Sequence, residues 1–236
     1  MKYTIARTEQ KPLPQGQWDD PIWRQAETAW IDSFHPQSSG HHPKTAVKVL
    51  YDPENLYVRF RVQDQYVRAR YTAYQDPVWQ DSCVEFFVMP HEKGYFNFEM
   101  NCIGTLLLYY IEDARRTATG FRKYAPVPAD LVRDLTVLHS LPAEIEGELA
   151  MPVTWELAYN IPFALFEAYL QPLDASPPGR GRGGFSMKIS AGTQWRGNFY
   201  KCGDHTSHPH WASWAPIGDD LNFHQPACFG ILEFGA

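Results

Sequence analysis

The stretch Trp79–Asn101, WQDSCVEFFVMPHEKGYFNFEMN, decides how the chain is read. Its two arms, Cys83–Met89 and Tyr95–Asn101, alternate in character residue by residue, which is the period of a β-strand. Closing them with a loop of residues 90–94 sets Met89 opposite Tyr95, Phe87 opposite Asn97 and Glu85 opposite Glu99. One face of that hairpin carries Val84, Phe86, Val88, Phe96, Phe98 and Met100, and is core. The other carries Glu85, Phe87, Tyr95, Asn97, Glu99 and Asn101. Like charges directly opposite one another destabilise a sheet. One account makes this the ordinary outward face of an antiparallel sheet. The other makes it the lining of a concave site, where fixed carboxylates and amides beside aromatic rings suit sugar hydroxyls that both donate and accept. Either account needs the Glu85–Glu99 repulsion relieved. A cation (Arg59, Arg61 or Arg196) is the preferred expectation over a carboxyl that keeps its proton.

Outward from this hairpin, alternation continues. Ala46–Val62 reads as a second hairpin turning at Asp52–Asn55, and Thr105–Ile111 as a strand. Val153–Phe166 starts as a strand and passes into a short helix at Ile161, with Pro162 in its first turn. Phe185–Gly192 and Cys228–Phe234 read as late strands, and Ser176–Gly184, SPPGRGRGG, as a surface loop. Many short strands with one or two short helices predict an all-β chain: an antiparallel β-sandwich with jelly-roll or immunoglobulin-like layers, in one domain over residues 1–236.

With 44% hydrophobic and 15% aromatic residues, the 236-residue chain has ample material for a core. Eight Trp and thirteen Tyr also supply flat, polar-edged platforms for a ligand. Trp18, Trp23 and Trp30 are expected in core packing. A net charge of −6 argues against a nucleic-acid partner, since backbone binding needs clustered Lys and Arg. No apolar run approaches a membrane span. The start, MKYTIARTEQ, has no apolar signal segment, so the chain reads as cytoplasmic or as a mature or trimmed form. Cys83, Cys102, Cys202 and Cys228 lack CxxC spacing and are expected as reduced thiols rather than a zinc site. His205, His208 and His210, near Cys202, offer metal-type ligands, but Pro209 interrupts them and a polar loop around Trp211 is the simpler reading.

Several motifs, in order, resemble the family 9 carbohydrate-binding modules and their DOMON-like relatives. They are YDPENLYVRFRVQD, PVWQDSCVEFFVMP, GYFNFEMNCIGTLLL, the W-E-L-x-x-x-I-P-F element at Trp155–Phe163, and FHQPACFGILEF. The resemblance runs from about Trp23 to the C-terminus. It implies a β-sandwich that holds a sugar ring between two tryptophans, at chain ends of cellulose- or xylan-type glycans, often with structural calcium. Such modules are often attached to xylanases and secreted or periplasmic. Trp79 matches the family's tryptophan before the carboxylate-bearing strand, and Glu85 matches that carboxylate. The second platform falls in TSHPHWASW, at Trp211 or Trp214, with Trp211 preferred. Asn97, Arg196 and Asn198 could complete the site, whereas Glu99 stands where family members often carry a basic residue. For calcium, Asp52, Glu54 and Asp64 are the candidates, although Asp52 and Glu54 also suit a hairpin turn.

The expected function is therefore non-catalytic carbohydrate binding. A glycoside hydrolase using Glu85 and Glu99 as its carboxylate pair, about 5–10 Å apart, is the alternative. A haem-binding relative with Met89 and Met100 as axial ligands is a third, disfavoured because Met100 falls on the core face.

Overall fold

The computed structural model describes residues 1–12, 17–170 and 187–236. Two sheets share one strand. The first runs, in spatial order, Gly120–Pro126, Tyr109–Thr117, Gly94–Asn101, Cys83–His91, Gln194–Cys202 and Gly230–Phe234. The N-terminal strand Lys2–Arg7 then joins the sheets: Lys2–Ile5 pair with Ile231–Phe234, while Ala6 and Arg7 pair with Leu50 and Tyr51. The second sheet continues through Lys44–Tyr51, Asn55–Asp64, Val153–Pro162 and Val137–His139. Both pairings of the N-terminal strand are parallel and the others are antiparallel. The result is an all-β sandwich.

The alternation of the sequence accounts for the layers. Val84, Phe86, Val88, Phe96, Phe98 and Met100 have at most 1% exposure and face the second sheet. There Phe60 and Tyr159 meet Phe199 and Phe98 at ring-centroid distances of 6.4 Å each. Fully burying one such side chain contributes about 1.5–3 kcal/mol. The helix Phe163–Leu170 plugs one end of this interior, with Phe166 against Phe96 (5.2 Å) and Trp195 (5.3 Å). Pro162, expected in the first helical turn, is the last residue of the preceding strand.

Other expectations shift. The Thr105–Ile111 segment is divided into Leu106–Leu107 and Tyr109–Thr117. The 83–101 hairpin keeps its register as far as Val88 opposite Phe96, after which an irregularity places His91 against Gly94. Met187–Gly192 forms no strand, and Ser176–Gly184 and Phe185 lie outside the described residues. Trp23 is buried as expected, but Trp30 is 44% exposed beneath the Lys44 ammonium, because its strand Ala29–Ile31 lies at a sheet edge.

The sheets are also tied by a buried polar cluster. Lys201, on the inner face of the first sheet, has its Nζ 3.5 Å from Asp64 Oδ2 of the second, and both side chains are fully buried. Trp155 Nε1 donates to Asp64 Oδ2 (3.1 Å), and His41 Nε2 lies 2.8 Å from Oδ1. Burial alone would raise the Asp64 carboxyl, but the Lys201 charge and then the His41 hydrogen bond outweigh it and hold Asp64 below the usual range. Lys201 also donates to His210 Nε2 (2.7 Å), whose Nδ1–H reaches the His208 carbonyl (2.9 Å). A Lys ammonium cannot accept, so His210 is the neutral Nδ1–H tautomer. Burial and Lys201 together push it down to about 3.

Removing one partner of a buried pair strands the other charge. Lys201→Met is therefore expected to cost about 3–5 kcal/mol in urea unfolding, and the Asp64→Leu/Lys201→Met double variant to recover most of that loss. A loss in the double variant that matches the single would show that the two side chains act separately.

Candidate functional site

The outer face of the first sheet is set by three adjacent strands, Gly94–Asn101, Cys83–His91 and Gln194–Cys202. Their registers align three rows of side chains: Asn97–Phe87–Asn198, Glu99–Glu85–Tyr200 and Asn101–Cys83–Cys202. Glu85 and Glu99 are opposite each other, and both are buried, at 2% and 4% exposure. They form the floor of a cavity of about 610 Å³.

The walls come from four other segments. The 3-10 turn Val78–Gln80 presents Trp79, which is 37% exposed. Strand Trp211–Ser213 begins with Trp211, whose Nε1 donates to Asp204 Oδ1 (2.7 Å). The hairpin of Tyr109–Thr117 and Gly120–Pro126 adds Tyr109, Arg116 and Phe121, with the Arg116 guanidinium 4.3 Å from the Phe121 ring centroid. The segment 221–224 contributes Asn222 and His224. Trp79, Glu85, Asn97, Glu99 and Trp211 are thus brought to one cavity.

Arg196, Asn198 and Trp214 are not. Arg196 shares the face but donates to the Ala227 and Phe229 carbonyls (3.2 and 3.1 Å), fastening the C-terminal turn. Asn198 is fully buried and spends both ends of its amide on the Ala215 backbone (2.8 and 2.9 Å). Trp214 is 4% exposed and packs edge-on to Tyr3 at 6.3 Å. A Cβ on Gly230 would stand 2.5 Å from its ring, so that glycine makes room for the indole in the interior.

The expected cation is not at the carboxyls. Arg59 and Arg61 lie on the second sheet, on the far side of the sandwich, where Arg59 Nε donates to Glu156 (3.1 Å) and Arg61 stands 3.7 Å from it. Burial instead raises both carboxyls. Glu85 is pushed well above the usual range by burial, then by Cys202 and Glu99. Burial pushes Glu99 up to about 8, opposed by the Asn97 hydrogen bond and by Arg116. Asn97 Nδ2 donates to Glu99 Oε1 (2.8 Å), and its own Oδ1 accepts from the Tyr109 backbone N–H (2.6 Å). Glu85 Oε1 accepts from the Cys202 thiol (3.2 Å) and more distantly from Cys83 (3.9 Å), while its buried Oε2 has no partner among the described residues. Beside Glu99, the buried His224 is pushed down to about 3, and Tyr95 Oη lies 2.8 Å from its Nδ1.

The calcium candidates do not fit an ion. Asp52 accepts from the Glu54 and Asn55 N–H groups (2.7 Å each) and from Tyr57 Oη (2.6 Å), as a turn residue does. Glu54 pairs with Lys11, and Asp64 is filled by Lys201, His41 and Trp155. The three histidines also diverge: His210 is buried against Lys201, His208 stacks on Tyr66 at 3.7 Å, and His205 lies beside Trp79. Met89 and Met100 point to opposite faces of their hairpin, so they cannot flank one haem. Among the described residues, the group with metal-ligand proximity is Cys83, Glu85 and Cys202.

The sequence reading missed Arg116, Phe121, Asp204, Asn222 and His224. The stretch Thr117–Gly120, TATG, suits a hairpin turn, but nothing local shows that the hairpin reaches the cavity of Glu99.

No curated relative matches the chain. Among solved structures, a "putative carbohydrate-binding protein" from Bacteroides uniformis ATCC 8492 is similar with a TM-score of 0.79 and 27% identity, covering 99% of this chain and 98% of that one. A family 9 carbohydrate-binding module from Caldicellulosiruptor kristjanssonii in complex with cellotriose is similar with a TM-score of 0.61 at 14% identity, covering 100% of this chain and 94% of that one. Its complex with glucose gives 0.60 at 14%, covering 100% and 97%. The family model described as carbohydrate-binding family 9 matches residues 22–176 and 183–234. With that match over most of its length, the chain belongs to carbohydrate-binding family 9.

Proposed function

We propose that the cavity binds the terminal sugar of a β-linked, cellulose- or xylan-type glycan, held between Trp79 and Trp211 and read from below by Glu85, Asn97 and Glu99. The observation that carries this reading is the convergence of two partly exposed indoles and three buried polar side chains on one cavity. At about 610 Å³ it lies within the range of small-ligand sites. Support also comes from the glucose and cellotriose held by the Caldicellulosiruptor kristjanssonii module.

The protonation of the floor matters to this reading. A neutral carboxyl donates one hydrogen bond and accepts others, as a sugar hydroxyl does, whereas a carboxylate only accepts. Asn97 gives one amide hydrogen to Glu99 and accepts from Tyr109, so it orients the carboxyl and keeps its second Nδ2 hydrogen for a ligand. Arg116, Asp204 and Asn222 add donors and acceptors to the walls.

The hydrolase alternative requires an acid and a base whose environments separate their pKa values. Here burial pushes both carboxyls in the same direction. Purified protein is accordingly expected to leave cellotriose and xylotriose intact over long incubation, checked by chromatography. Cleavage that disappears in Glu85→Gln would favour the hydrolase.

Trp79→Ala and Trp211→Ala are each expected to weaken binding by about 2 kcal/mol, roughly 30-fold, in calorimetric titration with cello- and xylo-oligosaccharides. Unchanged affinity in both, with the melting temperature preserved, would remove the tryptophans from the site.

A third expectation is thermodynamic. Glu99 moves from 4.5 when unfolded to about 8 when folded, so the folded state favours the protonated form. The associated stability is fully present below about 4.5 and is lost as pH rises through about 8. Unfolding free energy should fall between pH 5 and 8, by an amount on the order of a few kcal/mol, and Glu99→Gln should flatten that slope. Denaturant titrations at several pH values measure it. A wild-type profile no steeper than that of Glu99→Gln would mean that Glu99 ionises freely in the folded protein.

A further inference from the structure

We propose that Cys83, Glu85 and Cys202 form a binding site for one thiophilic divalent cation of the zinc class at the floor of the cavity. The placement follows from register. Cys83 is directly opposite Cys202 on the neighbouring strand, and Glu85 lies two residues along on the same face. The three ligand atoms all lie within 4.8 Å of one another, and all three residues are buried. Cys202 Sγ is 3.2 Å from Glu85 Oε1, and Cys83 Sγ is 3.9 Å from the same oxygen. In a tetrahedral zinc site, with metal–sulfur bonds of about 2.3 Å and metal–oxygen bonds of about 2.0 Å, a sulfur and an oxygen ligand stand roughly 3.5 Å apart. The two observed separations bracket that value.

An independent observation points to a ligand. Glu85 Oε2 is buried and has no hydrogen-bond partner among the described residues. Leaving a buried carboxyl oxygen unpaired is costly, and the arginines that could have met it are engaged elsewhere. A bound cation gives this carboxyl a partner. Two thiolates with one carboxylate favour zinc over calcium or magnesium, which prefer all-oxygen shells. Glu85 and Cys202 line the cavity, so the fourth position opens towards it and takes water.

Binding is a proton-for-metal exchange with no change of oxidation state. Three metal–ligand bonds form while two S–H bonds and one O–H bond break, releasing up to three protons to solvent. Because protons leave as the metal binds, uptake should strengthen as pH rises.

The test uses the full chain, metal-free and reduced, titrated with Co²⁺ and then Zn²⁺ in the absence of sugar. One Co²⁺ per chain is expected, with a thiolate-to-cobalt charge-transfer band in the near ultraviolet and tetrahedral visible bands, all displaced by Zn²⁺. Cys83→Ser and Cys202→Ser should each at least halve the band, the double variant should abolish it, and Glu85→Gln should weaken affinity about tenfold or more. Because both serine variants alter buried positions, the wild-type spectrum alone is decisive. Cobalt bound without a thiolate band would place it on groups outside the cluster, such as His205 and His208, and would overturn the proposal. So would the absence of binding at ~1 mM metal. No sugar enters the titration, so its failure leaves the carbohydrate reading standing.

Discussion

Burial of Glu85 and Glu99 is bound to the strand period of the hairpin that carries them. Each carboxyl alternates with residues that build the interior: Val84 and Phe86 around Glu85, Phe98 and Met100 around Glu99. A one-residue slip would exchange the two faces and put six large apolar side chains into the cavity. At about 1.5–3 kcal/mol for each fully buried side chain, that exchange costs far more than the burial of two polar groups can return. The core therefore holds the carboxyls at the cavity floor, and the cavity geometry depends on sandwich packing rather than on contacts among the polar groups.

The strand Gln194–Cys202 links the cavity to the second sheet. Its outer face sends Tyr200 and Cys202 towards Glu85, while its inner face sends Lys201 to Asp64. Lys201 also holds His210, the residue before Trp211. The indole of Trp211 is then fixed at its other end by Asp204. A rim tryptophan thus rests on a buried ionic cluster whose other member belongs to the opposite sheet. Long side chains on a free loop would lose conformational freedom on gripping a ligand, and this arrangement has already removed much of that freedom.

What could be read from the sequence was local. Alternation fixed the register that places Glu85 against Glu99, and separated Phe98 from Asn97 by face. Trp211 and Trp214 could be ranked by their neighbours: Trp211 lies in a polar run, and Trp214 packs where Gly230 leaves space. The arginines failed because period two places Arg59 and Arg61 on a face of their own hairpin without saying which sheet that hairpin joins; it joins the other one. Arg116, and Cys83 with Cys202, were invisible for the same reason. Their proximity arises from sheet order, across sequence separations that no spacing rule covers.

The like-charge problem posed by the register is settled by protons. Glu99 is the better supported of the two: Asn97 donates to it, and Arg116 on the neighbouring hairpin opposes the effect of burial. Glu85 receives only thiol hydrogens, and burial, Cys202 and Glu99 all act against its ionisation. With burial raising both Glu99 and Glu85, folding favours protonation over two opposed carboxylates. Two neutral carboxyls opposite one another repel little, so the sheet tolerates them without an arginine between. In the metal-free protein each protonated carboxyl also keeps a hydrogen to donate, and an ion pair in its place would have removed it.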